Sequence, residues 1–357
     1  MATHDVPTRV ETPIAFIQAM VQAYRRRGLD PTGALTKAQI APFLLQQPQA
    51  CVTALQMEWM SEAAMRELDD EALGWFRRRL PWGSYGMLVR ASVTAPTLGV
   101  AMKRWCRHHN LLTDDITLRV STSDGLAHID LLEHPEHHDL GELREFCIVS
   151  VLRNALGVAC WLTDSRISLA RTQLHIPTPA HVARYQVLFD GPVAFEPHSA
   201  SPISRISFDA GYLSLPVRRD EGALQRMLQR ALLLTVRPYR RDRLLVEKVR
   251  QVLAEHLAQA RNADDVAAHL GLSTRTLHRQ LKEEGASLQQ LKDSVRRERA
   301  LALLHKTRKP IKQVAAEVGF ANDKSFMRAF RLWTGKTVED VRGAWCLRKT
   351  LQPAQEH

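Results

Sequence analysis

The sequence predicts an α+β N-terminal domain followed by an all-α domain that holds two helix-turn-helix units. Three observations carry the prediction. Helical apolar periodicity in the last third falls into short segments closed by glycine, a six-residue motif recurs there, and the chain's positive charge is concentrated in that third. At 357 residues the chain has room for two or three domains of roughly 100–200 residues each. A hydrophobic share of 45% and a charged share of 24% fit a globular protein and exclude a disordered or collagen-like chain.

In chain order, apolar spacing predicts helices over 14–27, 52–68, 97–109 and 140–160. The strands Ile116–Val120 and His128–Leu132 flank the turn-prone Ser123-Asp124-Gly125 and read as a hairpin, and Ser204–Phe208 reads as a further strand. Gly83-Ser84-Tyr85-Gly86 is read as a turn. The first domain is expected to cover 1–215. Residues 216–242, with Pro216, Pro238 and the basic run Arg237–Arg241, are expected as a linker in which Leu224–Val236 is a candidate helix. Leu245, Val249, Val252, Leu253 and Leu257 put one apolar stripe on a helix over about 242–259. Helices follow at about 263–270, 274–284, 287–305, 311–318 and 323–334, the all-α domain spans 243–345, and 346–357 is a tail.

The motif Val266-Ala267-Ala268-His269-Leu270-Gly271 recurs 48 residues later as Val314-Ala315-Ala316-Glu317-Val318-Gly319. Each copy continues into a large apolar residue, a polar turn and a second helix, bearing Leu277, Arg279 and Leu281 or Phe326, Arg328 and Phe330. Helix, glycine turn, helix is a unit that sets its second helix in the DNA major groove, and Ala267 and Ala315 suit close helix approach. Ser273 is placed to cap the first such helix, and Asn322 or Asp323 the second. The units are expected over about 263–284 and 311–334. The 19-residue helix between them would be about 28 Å long, near the roughly 34 Å between successive major-groove windows on one face of DNA. Arg296, Arg297, Arg299, Lys306, Arg308, Lys309 and Lys312 lie along or beyond it as candidate phosphate contacts or as hydrated surface charges.

Residues 1–236 hold 24 Lys and Arg against 24 Asp and Glu, whereas residues 237–357 hold 25 against 14, so the net charge of +11 resides in the second segment. A basic third on a neutral remainder points to a polyanionic partner for the tail and a different role for the rest, the other reading being a merely hydrated basic face.

At Ile311–Arg342 the residues resemble the DNA-binding domain of the AraC/XylS family of bacterial transcription regulators. The resemblance rests on Ala315, Gly319-Phe320, Ser325-Phe326, Arg328-Ala329-Phe330 and Trp333-Thr334-Gly335, and in the first unit on the segment Leu270–Gly285. Val338 and Val341 depart from the proline and aromatic residue usual in the family, which implies a less sharply started last helix. Carried over by position, the resemblance implies a first recognition helix, begun at Ser273, that offers Arg275, His278 and Arg279 to DNA. A second, begun at Asp323, offers Lys324, Ser325 and Arg328. Arg275 is expected at a guanine edge or, alternatively, at a phosphate. Leu80–Ile116 resembles part of the arabinose-binding-like domain of a subset of these regulators, which implies a sensor of an unknown small-molecule effector that also supports a homodimer.

The implied protein is a cytoplasmic, effector-responsive transcription factor, more often an activator, with double-stranded promoter DNA and RNA polymerase as partners. An architectural or non-specific DNA-binding protein with an oligomerisation domain is the second reading. No catalytic constellation emerges: Phe330 occupies the glycine position that a phosphate-binding loop ending at Gly335-Lys336-Thr337 requires, and no nucleophile elbow is present. Cys106, His108, His109, His134, His137 and His138 lack the paired spacing of a zinc site, so no metal, cofactor or enzymatic activity is expected. The uncharged run Ala38–Met57 carries five glutamines and two prolines and is not a membrane span, Asp5 and Glu11 interrupt any signal peptide, and five sparse cysteines suit a reducing compartment. The uncharged segments Phe43–Met60 and Ala91–Met102 are candidates for the lining of an apolar cavity, or simply core.

Overall fold

The computed structural model describes residues 11–197, 202–228, 243–257, 262–307 and 309–342, and the chain forms two compact units, 1–242 and 243–357. In chain order the first holds β1 (Glu11–Pro13), α1 (Ile14–Arg26), α2 (Thr32–Lys37), β2 (Cys51–Thr53), α3 (Ala54–Glu67), α4 (Ser84–Val93), α5 (Leu98–His109), β3 (Ile116–Ser123), β4 (Leu126–Glu133), α6 (Arg144–Thr163), β5 (Leu169–Leu174), α7 (Tyr185–Phe189), β6 (Val193–Phe195), β7 (Ile203–Asp209) and α8 (Glu221–Leu228). Expectations for 229–242 and for the tail 346–357 lie outside the described residues.

Five strands form one sheet in the order β3-β4-β7-β5-β6, antiparallel except for the pair β5 and β6. Asp124 and Gly125 both take positive φ, 52° and 74°, the two-residue turn whose twist matches that of its strands. The expected hairpin is therefore longer than its apolar cores, with Ile116 opposite Glu133 and Ser123 opposite Leu126. Helix α6 is apolar on nearly every face and buried. By length and composition Gly141–Thr163 also suits a bilayer, but most of it is enclosed in the core.

Three expectations are corrected. The helix over 52–68 begins at Ala54, because Cys51–Thr53 pairs with Glu11–Pro13 and the Thr53 hydroxyl caps the helix in a reciprocal box with Gln56. Gly83-Ser84-Tyr85-Gly86 is not a free turn: Gly83, at φ 96°, leads directly into α4, and the Glu71 carboxylate accepts the Gly83 and Tyr85 amides at 2.6 and 2.8 Å. The linker expected from 216 is, over 216–228, packed onto the first unit. There the Arg218 amide donates to the Leu162 carbonyl, Arg219 donates to the Trp161 carbonyl and to Asp164, Glu221 pairs with Arg90, and Leu224 is fully buried.

The histidine cluster also resolves into separate environments. His109 is fully buried between Phe76 and Tyr85, with neither ring nitrogen partnered, and burial pushes its pKa down to about 4. His134 instead contacts Thr117 and Glu136. Among the described residues no group of His, Cys, Asp and Glu is arranged to hold a metal. Because the unfolded chain binds this proton near pH 6.5 and the folded one only near pH 4, the His109 contribution is full above 6.5 and is lost as pH falls toward 4. The loss is expected to reach about 2 kcal/mol by pH 5. Urea midpoints at pH 7 and pH 5 check it: His109→Leu should shrink the gap between them, and an unchanged gap would refute the assignment.

Candidate nucleic-acid interface and interior cavity

The second unit comprises α9 (Leu244–Glu255), α10 (Ala263–His269), α11 (Thr274–Glu283), α12 (Leu288–Lys306), α13 (Ile311–Glu317) and α14 (Asp323–Thr334). Val249, Leu253, Leu277, Leu281, Leu304, Phe326 and Phe330 pack its core, and Ala267 and Ala315 are buried. The repeated motif produces a repeated backbone device. Gly271 and Gly319 take φ of 64° and 80°; the Leu272 amide returns to the Ala267 carbonyl and the Phe320 amide to that of Ala315, each at 2.9 Å. Each first helix is thus closed and its chain turned toward the second.

The second helices start on side-chain caps. The Ser273 hydroxyl accepts the Thr276 amide at 3.1 Å, and the Asn322 side-chain oxygen accepts the Ser325 amide at 2.8 Å. Asn322, not Asp323, is therefore the cap; half-buried Asp323 holds the Lys324 amide at 2.9 Å. Burying Leu277 and Leu281 on one side of α11 leaves Arg275, His278 and Arg279 exposed on the other, and burying Phe326 and Phe330 does the same for Lys324, Ser325 and Arg328. Continuing each spacing by one turn adds exposed Lys282 and Arg331, which the sequence reading missed although 275, 278, 279 and 282 follow the helical interval.

The basic set along α12 divides. Arg297 and Arg299 are exposed. Arg296 is not a surface charge: its guanidinium lies 4.8 Å over the Phe320 ring and donates to the Gly319 carbonyl at 3.1 Å, and burial lowers its pKa. Lys309 is engaged by Glu317 at 2.5 Å. Arg308 and the side chain of Lys306 lie outside the described residues. The last helix also starts more firmly than expected, because the Thr337 hydroxyl accepts the Asp340 amide and the Asp340 carboxylate accepts that of Thr337. These bonds lower the Asp340 pKa, while Val338 and Val341 are buried.

Within the first unit lies a cavity of about 350 Å³. Phe16, Met57, Trp75, Tyr85, Trp105, Phe146 and Val158 give it an aromatic and apolar wall, and Met227 and Leu228 add the packed segment after residue 216. Of the expected lining segments, Phe43–Met60 contributes Met57 and Glu58, and Ala91–Met102 contributes nothing; Phe43 itself is exposed. Arg153 of α6 also lines the cavity, where burial lowers its pKa to about 10.

Residues 28–217 match the family described as the arabinose-binding domain of AraC transcription regulators, and residues 266–344 match a helix-turn-helix domain. The ornithine utilization regulator of Pseudomonas aeruginosa is 27% identical over 336 residues, covering 93% of this chain and 96% of that one. An uncharacterized HTH-type transcriptional regulator of Mycobacterium tuberculosis is 26% identical over 341 residues, covering 92% and 95%. The HTH-type transcriptional activator RhaS of Klebsiella pneumoniae is 34% identical over 96 residues, 26% of this chain and 34% of that one.

Proposed function

The chain belongs to the AraC family of transcription regulators, and from that premise we propose that its second unit sets two modules side by side in adjacent major grooves of promoter DNA. It is a sequence-specific DNA-binding regulator that responds to an effector. The observation that carries the docking mode is the pair of glycine-closed modules, each exposing a basic recognition face, at the two ends of the 19-residue α12. In this reading Arg275 and His278 meet base edges, Arg279 and Arg328 share base and phosphate contacts, and Lys324 and Ser325 serve the second groove. Ser273 and Asp323 act on the start of their helices. The first unit binds the effector and self-associates, the complex acts in the cytoplasm as an activator that touches RNA polymerase, and no enzymatic activity is assigned.

Quantitative footprinting on the promoter next to its own gene tests this, with random duplex as the comparison. Arg275→Ala should relax preference at one base position at a cost of about 1–3 kcal/mol, whereas Arg279→Ala should weaken binding to all sequences and reduce the salt slope by about 1. Equal losses on specific and random duplex for Arg275→Ala would remove its base-reading role. Uniform coverage without a defined footprint would favour the architectural reading.

A further inference from the structure

The cavity of the first unit is lined by two cations, Arg66, which pairs with Glu62, and Arg153. Arg153 has no hydrogen bond or ion pair among the described residues, although it is half-buried on α6 in the cavity wall and burial lowers its pKa. A buried guanidinium without a counter-charge is costly and persists where something else satisfies it. Nearby donors are in the same position: Trp75 Nε1, Trp105 Nε1 and Tyr85 OH are buried without a partner on residues that line the cavity. The carboxylates there are engaged. Glu71 holds the Gly83 and Tyr85 amides, Glu62 pairs with Arg66, and Glu58 is engaged as well. The wall therefore carries unpartnered donors, one of them charged, on an aromatic surface.

We propose that the effector is a small organic monocarboxylate with an apolar body, its carboxylate paired with Arg153 and its body packed on Trp75, Tyr85, Trp105 and Phe146. The volume, at the low end of the roughly 300–1,000 Å³ typical of ligand pockets, suits a small molecule. A guanidinium receives a carboxylate through two parallel N–H···O bonds, which a neutral amide or alcohol of the same shape does not form. The inference rests on the reading of the first unit as an effector sensor.

Isothermal titration of the full-length protein with benzoate, phenylacetate and hexanoate, each against its neutral amide, tests it. At least one carboxylate should bind, its amide about tenfold or more weakly. Arg153→Met should abolish the preference, Arg153→Lys should retain part of it, and free Arg153→Met should melt no lower than wild type, since an unpaired buried charge is replaced by an apolar chain. The proposal is overturned if no carboxylate binds, if amides bind as well as acids, if Arg153→Met binds like wild type, or if its melting temperature drops. The promoter footprint of ligand-free protein is followed in parallel. Its persistence separates failure of this inference from failure of the DNA-binding reading.

Discussion

Asp70→Ala is expected to destabilise the first unit by about 3–5 kcal/mol, the range for removing one partner of a buried charge network. The Asp70 side chain is fully buried, and its two oxygens accept the Ala72 and Leu80 amides at 3.0 and 2.9 Å, the Gly74 amide at 3.0 Å and Arg27 Nη2 at 2.6 Å. Truncation leaves three backbone donors and a guanidinium without their acceptor, and each orphaned group costs about 1–3 kcal/mol. The loop that this carboxylate gathers carries Leu73, Trp75 and Trp82 of the cavity wall, so ligand binding should fall with stability. Calorimetric melting of the full chain checks it, because the second unit supplies a transition that the substitution leaves in place. A loss below about 1 kcal/mol would mean that water replaces the carboxylate.

The two repeat glycines should respond unequally to alanine. Both residues lie in the left-handed region, so each substitution carries about 1–2 kcal/mol of backbone strain. A Cβ at Gly271 meets nothing within 4 Å, whereas one at Gly319 comes within 3.0 Å of the Leu257 carbonyl oxygen and 3.4 Å of the Arg296 guanidinium. Displacing them adds about 1–3 kcal/mol, the usual cost of overpacking. Gly319→Ala should therefore lower the second unit's melting temperature well beyond Gly271→Ala and weaken protection at one end of the footprint first. Equal shifts for the two variants would show that the Leu257 carbonyl yields freely.

The second unit was legible because each of its decisions is local. A glycine closes a helix, Ser273 opens the next, and Leu277 with Leu281 or Phe326 with Phe330 sets which face is left exposed. The Asp124-Gly125 hairpin was readable for the same reason. What escaped depends on partners distant in the chain. Strand β5 breaks its alternation at an irregularity between Leu169 and Arg171, β6 has three residues, and α4 starts where Glu71 from another segment holds its first amides. In the sequence Arg296 looks like one more surface cation, because the Phe320 ring beneath it is 24 positions away. The cavity was legible only in part, since Arg153, its most informative residue, lies inside a long apolar helix pattern where nothing marks its lack of a partner.

The docking of residues 216–228 makes this segment part of the cavity. Leu228 is at once a wall of the cavity, in contact range of Gly86, and the last described residue of the packed segment, fifteen positions before the second unit begins at Arg243. Occupancy of the cavity and the placement of the segment 216–228 are thereby joined through one side chain. A guest that favours one placement of Leu228 over another biases that segment by the same free energy, with no need for a rearrangement of the sheet.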